Sequence, residues 1–151
     1  MAQNTAPIFG LVANVGRATI LPATTANVKS DGTGTLATDI LKAFTAGTNG
    51  SIVYSIRFTP VASTAATATT ATTLRAFESS ITSGATTNAD TYNLCEVSAA
   101  AQTADHSTNA IFYIEVPINK YIPSGHFVHV TTHVVAAAAT AWQVLVFGAD
   151  Y

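Results

Sequence analysis

Four histidines are the residues of this sequence best suited to bind a transition metal: His106, His126, His129 and His133. On a regular β-strand, which rises about 3.3 Å per residue, His129 and His133 share a face about 13 Å apart, and His126 points to the other face. Zinc ligands lie about 2.0–2.1 Å from one ion, so this spacing excludes a shared site within one strand. We therefore expect solvent-facing or interface histidines and no metal. The alternative is an ion held on a symmetry axis by one histidine from each subunit.

Residue types that perform acid, base or nucleophilic catalysis are present but scattered. Asp105-His106-Ser107 places the three types of a hydrolase triad side by side. A triad, however, is assembled in space around a buried carboxylate and an oxyanion hole, and the Gly-x-Ser-x-Gly turn does not occur in the sequence. Glu78, Glu96 and Glu115 are separated singles, so they predict no acid/base pair. We expect a protein that is not an enzyme and has no catalytic residues.

Two glycine-containing segments match motif letters without the matching context. Residues 32–37 (GTGTLA) fit a dinucleotide-binding loop, but no strand of buried β-branched residues ends before Gly32 and no long helix follows. Asp31-Gly32 is more simply a turn, and no cofactor is expected. Asn49-Gly50-Ser51 has the letters of a glycosylation site, and we interpret it as a turn as well.

The chain has one cysteine, Cys95, which excludes an internal disulfide and a cysteine-based zinc site. It shares a face with Val97 if the segment Tyr92–Val97 is a strand. No nearby residue would lower its pKa or act as its base, so we expect a buried, apolar cysteine.

Alternating apolar residues predict a succession of strands. Ser51–Thr59 places Ile52, Tyr54, Ile56 and Phe58 on one face, and Pro60 is expected to end this strand. Asp39–Ala46 is joined to it through 47–50, which predicts a hairpin, with a short helix over 38–44 as the alternative. Pro117 and Pro123 bracket a predicted edge segment or crossing over 118–122. Further strands are predicted at Ala18–Leu21, Thr72–Glu78, Tyr92–Val97, Ala110–Val116, His126–Val135 and Trp142–Phe147.

About eight short strands without a convincing amphipathic helix predict an all-β sandwich or barrel. The 151 residues provide one core, so we expect a single domain over 18–151 preceded by an N-terminal arm over 1–17. Three long connections rich in Ala, Thr and Ser, at 61–71, 79–91 and 98–109, are expected to pack flat at an interface. The predicted core comprises Ile52, Ile56, Phe58, Phe112, Ile114, Val128, Val130, Val144 and Val146.

The composition excludes several classes of partner. Charged residues make up only 9% of the chain, with six basic and eight acidic, and no Lys/Arg cluster occurs, so we expect no nucleic-acid partner. No stretch of 18 apolar residues and no export signal are found, so we expect no membrane partner. With 28 Ala and 25 Thr, the surface is expected to be neutral, which favours association with copies of the chain or another protein.

Three segments resemble small structural proteins of tailed bacteriophages: residues 31–51 (DGTGTLATDILKAFTAGTNGS), 56–60 (IRFTP) and 142–151 (WQVLVFGADY). They are similar to chains that coat the outside of the capsid as decoration, or cement, proteins. This resemblance implies an all-β, single-domain antiparallel β-sandwich, jelly-roll-like in topology. The matched motifs are structural, and the resemblance transfers no catalytic residue.

The resemblance implies a virion location on the outer capsid surface, after assembly in the host cytoplasm. The implied partners are the major capsid protein and further copies of the chain, as a dimer or a trimer. Attachment is expected through the connections 61–71 and 98–109 together with residues 2–15 of the arm. The alternative is a tail or fibre component that binds a host-surface glycan. Sugar rings stack on exposed aromatic residues, whereas the single tryptophan, Trp142, begins a predicted strand, which favours the structural role.

Overall fold

The computed structural model describes residues 12–63, 67–104 and 112–151. These ranges form ten β-strands and a single 3₁₀ turn, Asn88–Asp90, so the prediction of an all-β protein is confirmed. Within them no helix is long and apolar enough to cross a membrane. The strands are β1 (Val12–Ile20), β2 (Leu41–Thr45), β3 (Ser51–Ala62), β4 (Thr67–Ala68), β5 (Thr72–Ser79), β6 (Thr91–Ala99), β7 (Thr103–Ala104), β8 (Ile114–Ile122), β9 (Phe127–Thr132) and β10 (Thr140–Asp150).

Two four-stranded antiparallel sheets make the sandwich. The first sheet has the order β1-β10-β3-β8, and the second has the order β2-β9-β5-β6. Most consecutive long strands lie in opposite sheets, and the exception is β5 and β6, which pair with each other. The last strand, β10, pairs with the first, β1. This is the strand order of a jelly roll, which wraps two Greek keys around one core. The short strands β4 and β7 form a separate two-stranded ladder.

The core lies between the two sheets and is built from alternate residues of each strand. Six residues of the predicted core are buried there, and Ile114 is partly buried against them. Two predictions are wrong: Ile52 is only half-buried, and Phe112 is 43% exposed just before β8. The confirmed residues are Ile56, Phe58, Val128, Val130, Val144 and Val146.

A β-bulge explains the error at Ile52. Ser55 pairs with Phe147 of β10, and Val53 pairs with the very next residue, Gly148, so Tyr54 is one extra residue in β3. A one-residue insertion reverses which side chains face the core. Val53 is therefore fully buried and Tyr54 is 44% exposed, whereas regular alternation predicted the opposite.

The predicted hairpin between Asp39–Ala46 and Ser51–Thr59 is wrong, although both segments are strands. β2 pairs with β9 in the second sheet and β3 pairs with β10 and β8 in the first. The connection over 46–50 therefore crosses from one sheet to the other. A two-layer sandwich presents the same local pattern as a hairpin, because strands of both sheets alternate apolar and polar residues.

Two of the three prolines predicted to end or bracket strands, Pro60 and Pro117, lie inside strands, whereas Pro123 directly follows β8. Pro60 lies opposite Trp142 of β10. The pairing of β3 with β8 ends at Phe58, so Pro60 has no β8 residue opposite it. Pro117 lies in β8, which is an edge strand of its sheet, next to a register shift that includes Asn119 with a φ of 49°. Edges and bulges are the places where a sheet tolerates a missing N–H donor. The predicted edge position of 118–122 is confirmed, as the second half of one continuous strand.

The predicted boundary after residue 17 does not match the sheet. Residues 12–17 of the predicted arm belong to β1, which pairs with β10 from Val12 opposite Asp150 to Ile20 opposite Trp142. A Cβ at Gly16 would overlap the carbonyl oxygen of Ala43, so β1 and β2 close one side of the sandwich by backbone contact. The remainder of the predicted arm, residues 1–11, lies outside the described residues.

Candidate interaction surfaces

The connections that follow β3, β6 and β9 meet at one end of the sandwich. Thr67 of β4 pairs with Ala104 of β7, and the Thr69 amide donates to Gln102 O at 2.8 Å. The Ser63 amide donates to Ala139 O at 2.8 Å, which joins the connection after β3 to the one after β9. Two of the connections predicted from composition, 61–71 and 98–109, are therefore hydrogen-bonded to each other. The first of them is also hydrogen-bonded to the connection after β9.

This surface, which we call the neutral end, consists of residues 63, 67–71, 100–104 and 133–139. None of these residues is Asp, Glu, Lys or Arg. Val134 and Val135 are 37% and 39% exposed, and Leu21 and Phe112 beside this end are 49% and 43% exposed. Apolar and small neutral side chains lose little hydration when a partner covers them, so the neutral end suits burial in a protein interface.

The start of β1 lies at the far end of the molecule from these connections. Val12 pairs with Asp150, and Asp150 pairs with Ser51 at the start of β3, whereas the neutral end follows the last residue of β3. The nine residues of β1 span about 26 Å at a rise of 3.3 Å per residue. The described part of the predicted attachment arm, residues 12–15, thus lies at the opposite end of the sandwich from the two connections.

The outer face of the first sheet carries an ordered arginine cluster. Arg57 donates to Glu115 Oε2 from Nε at 3.0 Å and from Nη2 at 2.8 Å, and Ser55 Oγ donates to Glu115 Oε1 at 2.6 Å. The guanidinium also lies 4.5 Å from the ring centre of Tyr113 and 5.2 Å from that of Phe147. The Ser55 hydroxyl, followed by Arg57, lowers the pKa of Glu115. Arginine held between aromatic rings is a residue combination enriched in protein interfaces.

The outer face of the second sheet is covered by the long connection between β1 and β2. Arg75 is 6% exposed and donates to the carbonyl oxygens of Asn27 and Lys29, and Gly32 of the same connection packs on the ring of Phe77. The Asn27 amide donates to Thr132 O at 2.9 Å. The outer face of the second sheet is thus covered by this connection, whereas the outer face of the first sheet is a surface of the described chain.

The three histidines that the structure describes are not brought together. His126 Nδ1 lies 3.0 Å from Glu78 Oε1, and His133 Nδ1 lies 3.5 Å from Arg75 Nη1. His129 is 1% exposed on the covered face, and neither ring nitrogen has a hydrogen-bond partner. Burial, and then the charge of Lys42, lowers the pKa of His129 to about 4. His106 lies outside the described residues, among which no group of three or more metal-ligating side chains occurs.

The three glutamates are separate in space, as they are in sequence, and each is paired with a cation. Glu78 binds Lys120 at 2.6 Å in addition to His126, Glu96 binds Arg75 at 2.5 Å, and Glu115 binds Arg57. Each carboxylate therefore has a structural partner. Asp105, His106 and Ser107 lie outside the described residues, so the structure gives no geometry for that segment.

The remaining sequence candidates lie in turns or against the core. Asp31 Oδ1 accepts bonds from the Thr33 amide and hydroxyl, which form a turn with Gly32 at a φ of 79° and lower the pKa of Asp31. Asn49-Gly50 also lies in a turn, closed by the Gly50 amide donating to Gly47 O at 2.9 Å. Cys95 is half-buried against the core, and this burial raises the pKa of its thiol to about 11.

The sequence does not predict the arginine cluster, because the alternation over Ser51–Thr59 indicates only which face of the strand is buried. The other face of that segment contains Ser55, Arg57 and Thr59. The sequence does contain a partial signal. Arg57 lies at the centre of an outward strand face, and Phe147 belongs to another predicted strand. Cross-strand partners could not be assigned without the sheet order.

Comparison with solved structures finds a distant likeness. No family model matches the chain, and no curated protein matches it. A chain of a solved structure described as "Cyanophage Pam1 capsid asymmetric unit" is similar to this chain with a TM-score of 0.36 and 16% sequence identity. The alignment covers 99% of this chain and 94% of that chain. The strand order and the contacts described above define the fold and the candidate surfaces.

Proposed function

We propose that this chain is a structural, non-enzymatic virion protein that decorates the outer surface of a tailed-phage head and stabilises the shell. The observation that carries the proposal is the neutral end, an uncharged and partly apolar surface built from three hydrogen-bonded connections. The resemblance of residues 31–51, 56–60 and 142–151 to decoration proteins supports the same role. Jelly rolls are found in viral capsid domains, although the fold alone does not define a function.

The neutral end is the part of the chain proposed to contact the major capsid protein. A charged group that loses water at an interface without gaining a partner is costly, and this end has none in its described residues. Small Thr and Ala side chains lose little entropy when they are covered. A shell presents many equivalent sites, so modest contacts, linked through oligomers of the chain, give strong attachment through effective concentration. No nucleic acid, membrane, metal or cofactor is part of this role.

The proposal is tested by rebinding purified protein to shells from which it has been stripped. Ala101→Asp places a charge on an exposed residue of the neutral end, and Thr48→Asp places the same charge on an exposed residue at the opposite end. We expect Ala101→Asp to weaken rebinding at least about tenfold and Thr48→Asp to rebind like the wild type. Equal binding by both variants would exclude the neutral end as the contact, and failure of the wild type to rebind would exclude the decoration role.

The contribution of the N-terminal segment needs a deletion that spares β1. Removing residues 2–15 also removes Val12–Val15, which pair with β10, so loss of attachment by that variant could reflect a damaged sheet. Removing residues 2–11 leaves all of β1. We expect the shorter deletion to keep the thermal stability of the sandwich, because all of β1 remains, and to weaken attachment if residues 2–11 contact a neighbouring copy. Full-strength attachment would show that the segment has no such role.

A second candidate, a tail or fibre component that binds a host glycan, is favoured by exposed tyrosines. Tyr54, Tyr92, Tyr113 and Tyr121 are 44–59% exposed, and rings of this kind can stack on sugars. Trp142 is only 1% exposed and takes no part in such a surface. The copy number of the chain in purified virions separates the two roles. A decoration protein is present over the whole head lattice, and a fibre tip is present in few copies.

A further inference from the structure

The outer face of the β1-β10-β3-β8 sheet carries one charged row that crosses all four strands. Arg17 pairs with Leu145, Leu145 with Arg57, and Arg57 with Glu115. The row therefore begins with an exposed cation on the β1 edge and ends with a carboxylate on the β8 edge. Neighbouring strands lie about 4.8 Å apart, so the two edges are about 14 Å apart.

The next row along the face, toward the start of β1, is mainly apolar. Val15 pairs with Phe147, Phe147 with Ser55, and Ser55 with Pro117. Val15 is 44% exposed, and Tyr113, which touches Arg57, is 51% exposed. No outward residue of these two rows is fully buried by the described chain. The face thus joins an apolar strip with an arginine packed on aromatic rings, and arginine and aromatic residues are enriched in protein interfaces.

We infer that this sheet face binds a second copy of the same chain, in a dimer whose two-fold axis runs parallel to the strands. The rotation keeps each row at its own level and places β1 of one copy opposite β8 of the other. Arg17 of each copy then faces Glu115 of its partner, twice by symmetry. A two-fold axis across the strands would instead place Arg17 opposite Arg17 and Glu115 opposite Glu115, which like-charge repulsion disfavours.

The size of the face fits this assignment. Four strands cover a width of about 19 Å, and the nine residues of β1 span about 26 Å, which gives about 500 Å² of projected area per copy and about 1,000 Å² in total. This total reaches the lower limit for specific protein interfaces. Facing sheets align within about 30°, which displaces the outer strands by about 4 Å, roughly one residue along the strand. The paired side chains stay within reach at that displacement.

The two charge pairs set the orientation of the dimer more than its affinity. Exposed ion pairs contribute little free energy, whereas covering Phe147, Leu145, Val15 and the Arg57 cluster removes apolar area from water. Glu115 is already held by Arg57 and Ser55, so it meets the partner's Arg17 in a fixed position. The dimer goes beyond the decoration role, and it does not depend on that role because no shell is needed to form it.

Sedimentation of the full-length protein, with variants that reverse one charge, tests this interface. Arg17→Glu puts a carboxylate opposite the partner's Glu115, and Glu115→Lys puts a cation opposite the partner's Arg17. We expect a wild-type dimer and, for each variant alone, a dissociation constant raised at least about tenfold. An equimolar mixture of the two variants should dimerise more tightly than either variant alone, because both cross-copy pairs are then of opposite charge. It should stay weaker than the wild type, since Glu115→Lys also removes the Arg57–Glu115 pair. Regained dimer would also show that both variants are folded.

Lys29→Glu is the matched control, since Lys29 is exposed on the connection between β1 and β2, away from this face. It makes the same change in charge as Arg17→Glu and should sediment like the wild type. A wild-type monomer or trimer, a dimer unaffected by Arg17→Glu, equal weakening by Lys29→Glu, or a mixture that stays dissociated would each overturn the inference. These outcomes are separate from the shell-binding test, which alters only Ala101 and Thr48.

Discussion

Replacing the buried His129 by leucine should remove a large part of the acid sensitivity of this protein. His129 lies on the covered face of β9, stacked at 5° on Phe127, with a ring centre distance of 6.1 Å. Neither ring nitrogen has a hydrogen-bond partner, and the charge of Lys42 lies nearby. A protonated imidazole is therefore poorly tolerated, and leucine fills a similar volume without a titratable group.

The magnitude follows from the two pKa values. Folding lowers the pKa of His129 from 6.5 to about 4, so the unfolded chain binds the proton more tightly. Stability from this residue is complete above pH 6.5 and is lost as the pH falls toward 4. The full loss is about 3 kcal/mol at 1.36 kcal/mol per pKa unit, and about 2 kcal/mol of it occurs between pH 7.5 and 5. For a chain of this length that corresponds to a decrease in melting temperature of roughly 4–8 °C.

The assay is urea unfolding of the wild type and of His129→Leu at pH 7.5, 6.0 and 5.0. The other histidines and the carboxylates are present in both proteins, so their contributions cancel in the difference between the two free energies of unfolding. We expect the variant to lie within about 1 kcal/mol of the wild type at pH 7.5, because no hydrogen bond is lost. Between pH 7.5 and pH 5.0, the free energy of unfolding of the variant should rise by about 2 kcal/mol relative to that of the wild type.

A difference that does not change with pH would refute this reasoning. It would mean that the folded protein accepts the proton on His129 as easily as the unfolded chain does. A variant that is much less stable at pH 7.5 would show instead that the imidazole makes a contact essential for the covered face.

Other parts of the fold give three further predictions. Phe58→Ala should lower the free energy of unfolding by about 3–5 kcal/mol and Phe112→Ala by less than about 1 kcal/mol, since Phe58 is fully buried and Phe112 is 43% exposed. Equal losses in urea unfolding would contradict the core assignment. Gly16→Ala should cost about 1–3 kcal/mol in thermal unfolding, because the new methyl group would overlap Ala43 O, and an unchanged melting temperature would argue against the contact of β1 with β2. Because its pKa is about 11 rather than 9.0, Cys95 should react with a thiol reagent about 100-fold more slowly in the folded protein than in urea at pH 8, and equal rates would show an accessible thiolate.

The fold was largely predictable because strand periodicity is a local property. The segments around β5, β6, β9 and β10 alternate clearly, and the absence of an amphipathic helix already indicated an all-β domain. The sheet to which a strand belongs is not local. β2 and β3 are five residues apart along the chain, yet they lie in different sheets, and no feature of the 46–50 connection distinguishes this from a hairpin.

Local irregularity accounts for most of the remaining errors. The bulge at Tyr54 exchanges the faces of Ile52 and Val53, and a single inserted residue leaves no mark in an alternating sequence. Only the end of β1 is predictable from the sequence, because Val12–Arg17 is a mixture of small and polar residues on an edge strand. Its position is fixed by pairing with β10 and by Gly16, which are long-range contacts.

The candidate surfaces were predictable to different degrees. The absence of charge from the connections at 61–71 and 98–109 is visible in the sequence, and their contact through β4 and β7 is not. The row from Arg17 to Glu115 is assembled from four strands that are far apart in the sequence. A charge pattern of this kind can be found only after the strand order and the register are known.

Cryo-electron microscopy of the intact virion tests the central claim most directly, because it shows where the chain is and which end faces the shell. The decoration role predicts density for this sandwich at repeated positions over the outside of the head, with residues 67–71, 100–104 and 133–139 against the major capsid protein. Density confined to the tail or fibres, or a sandwich that meets the shell with its neutral end pointing to solvent, would contradict the proposal.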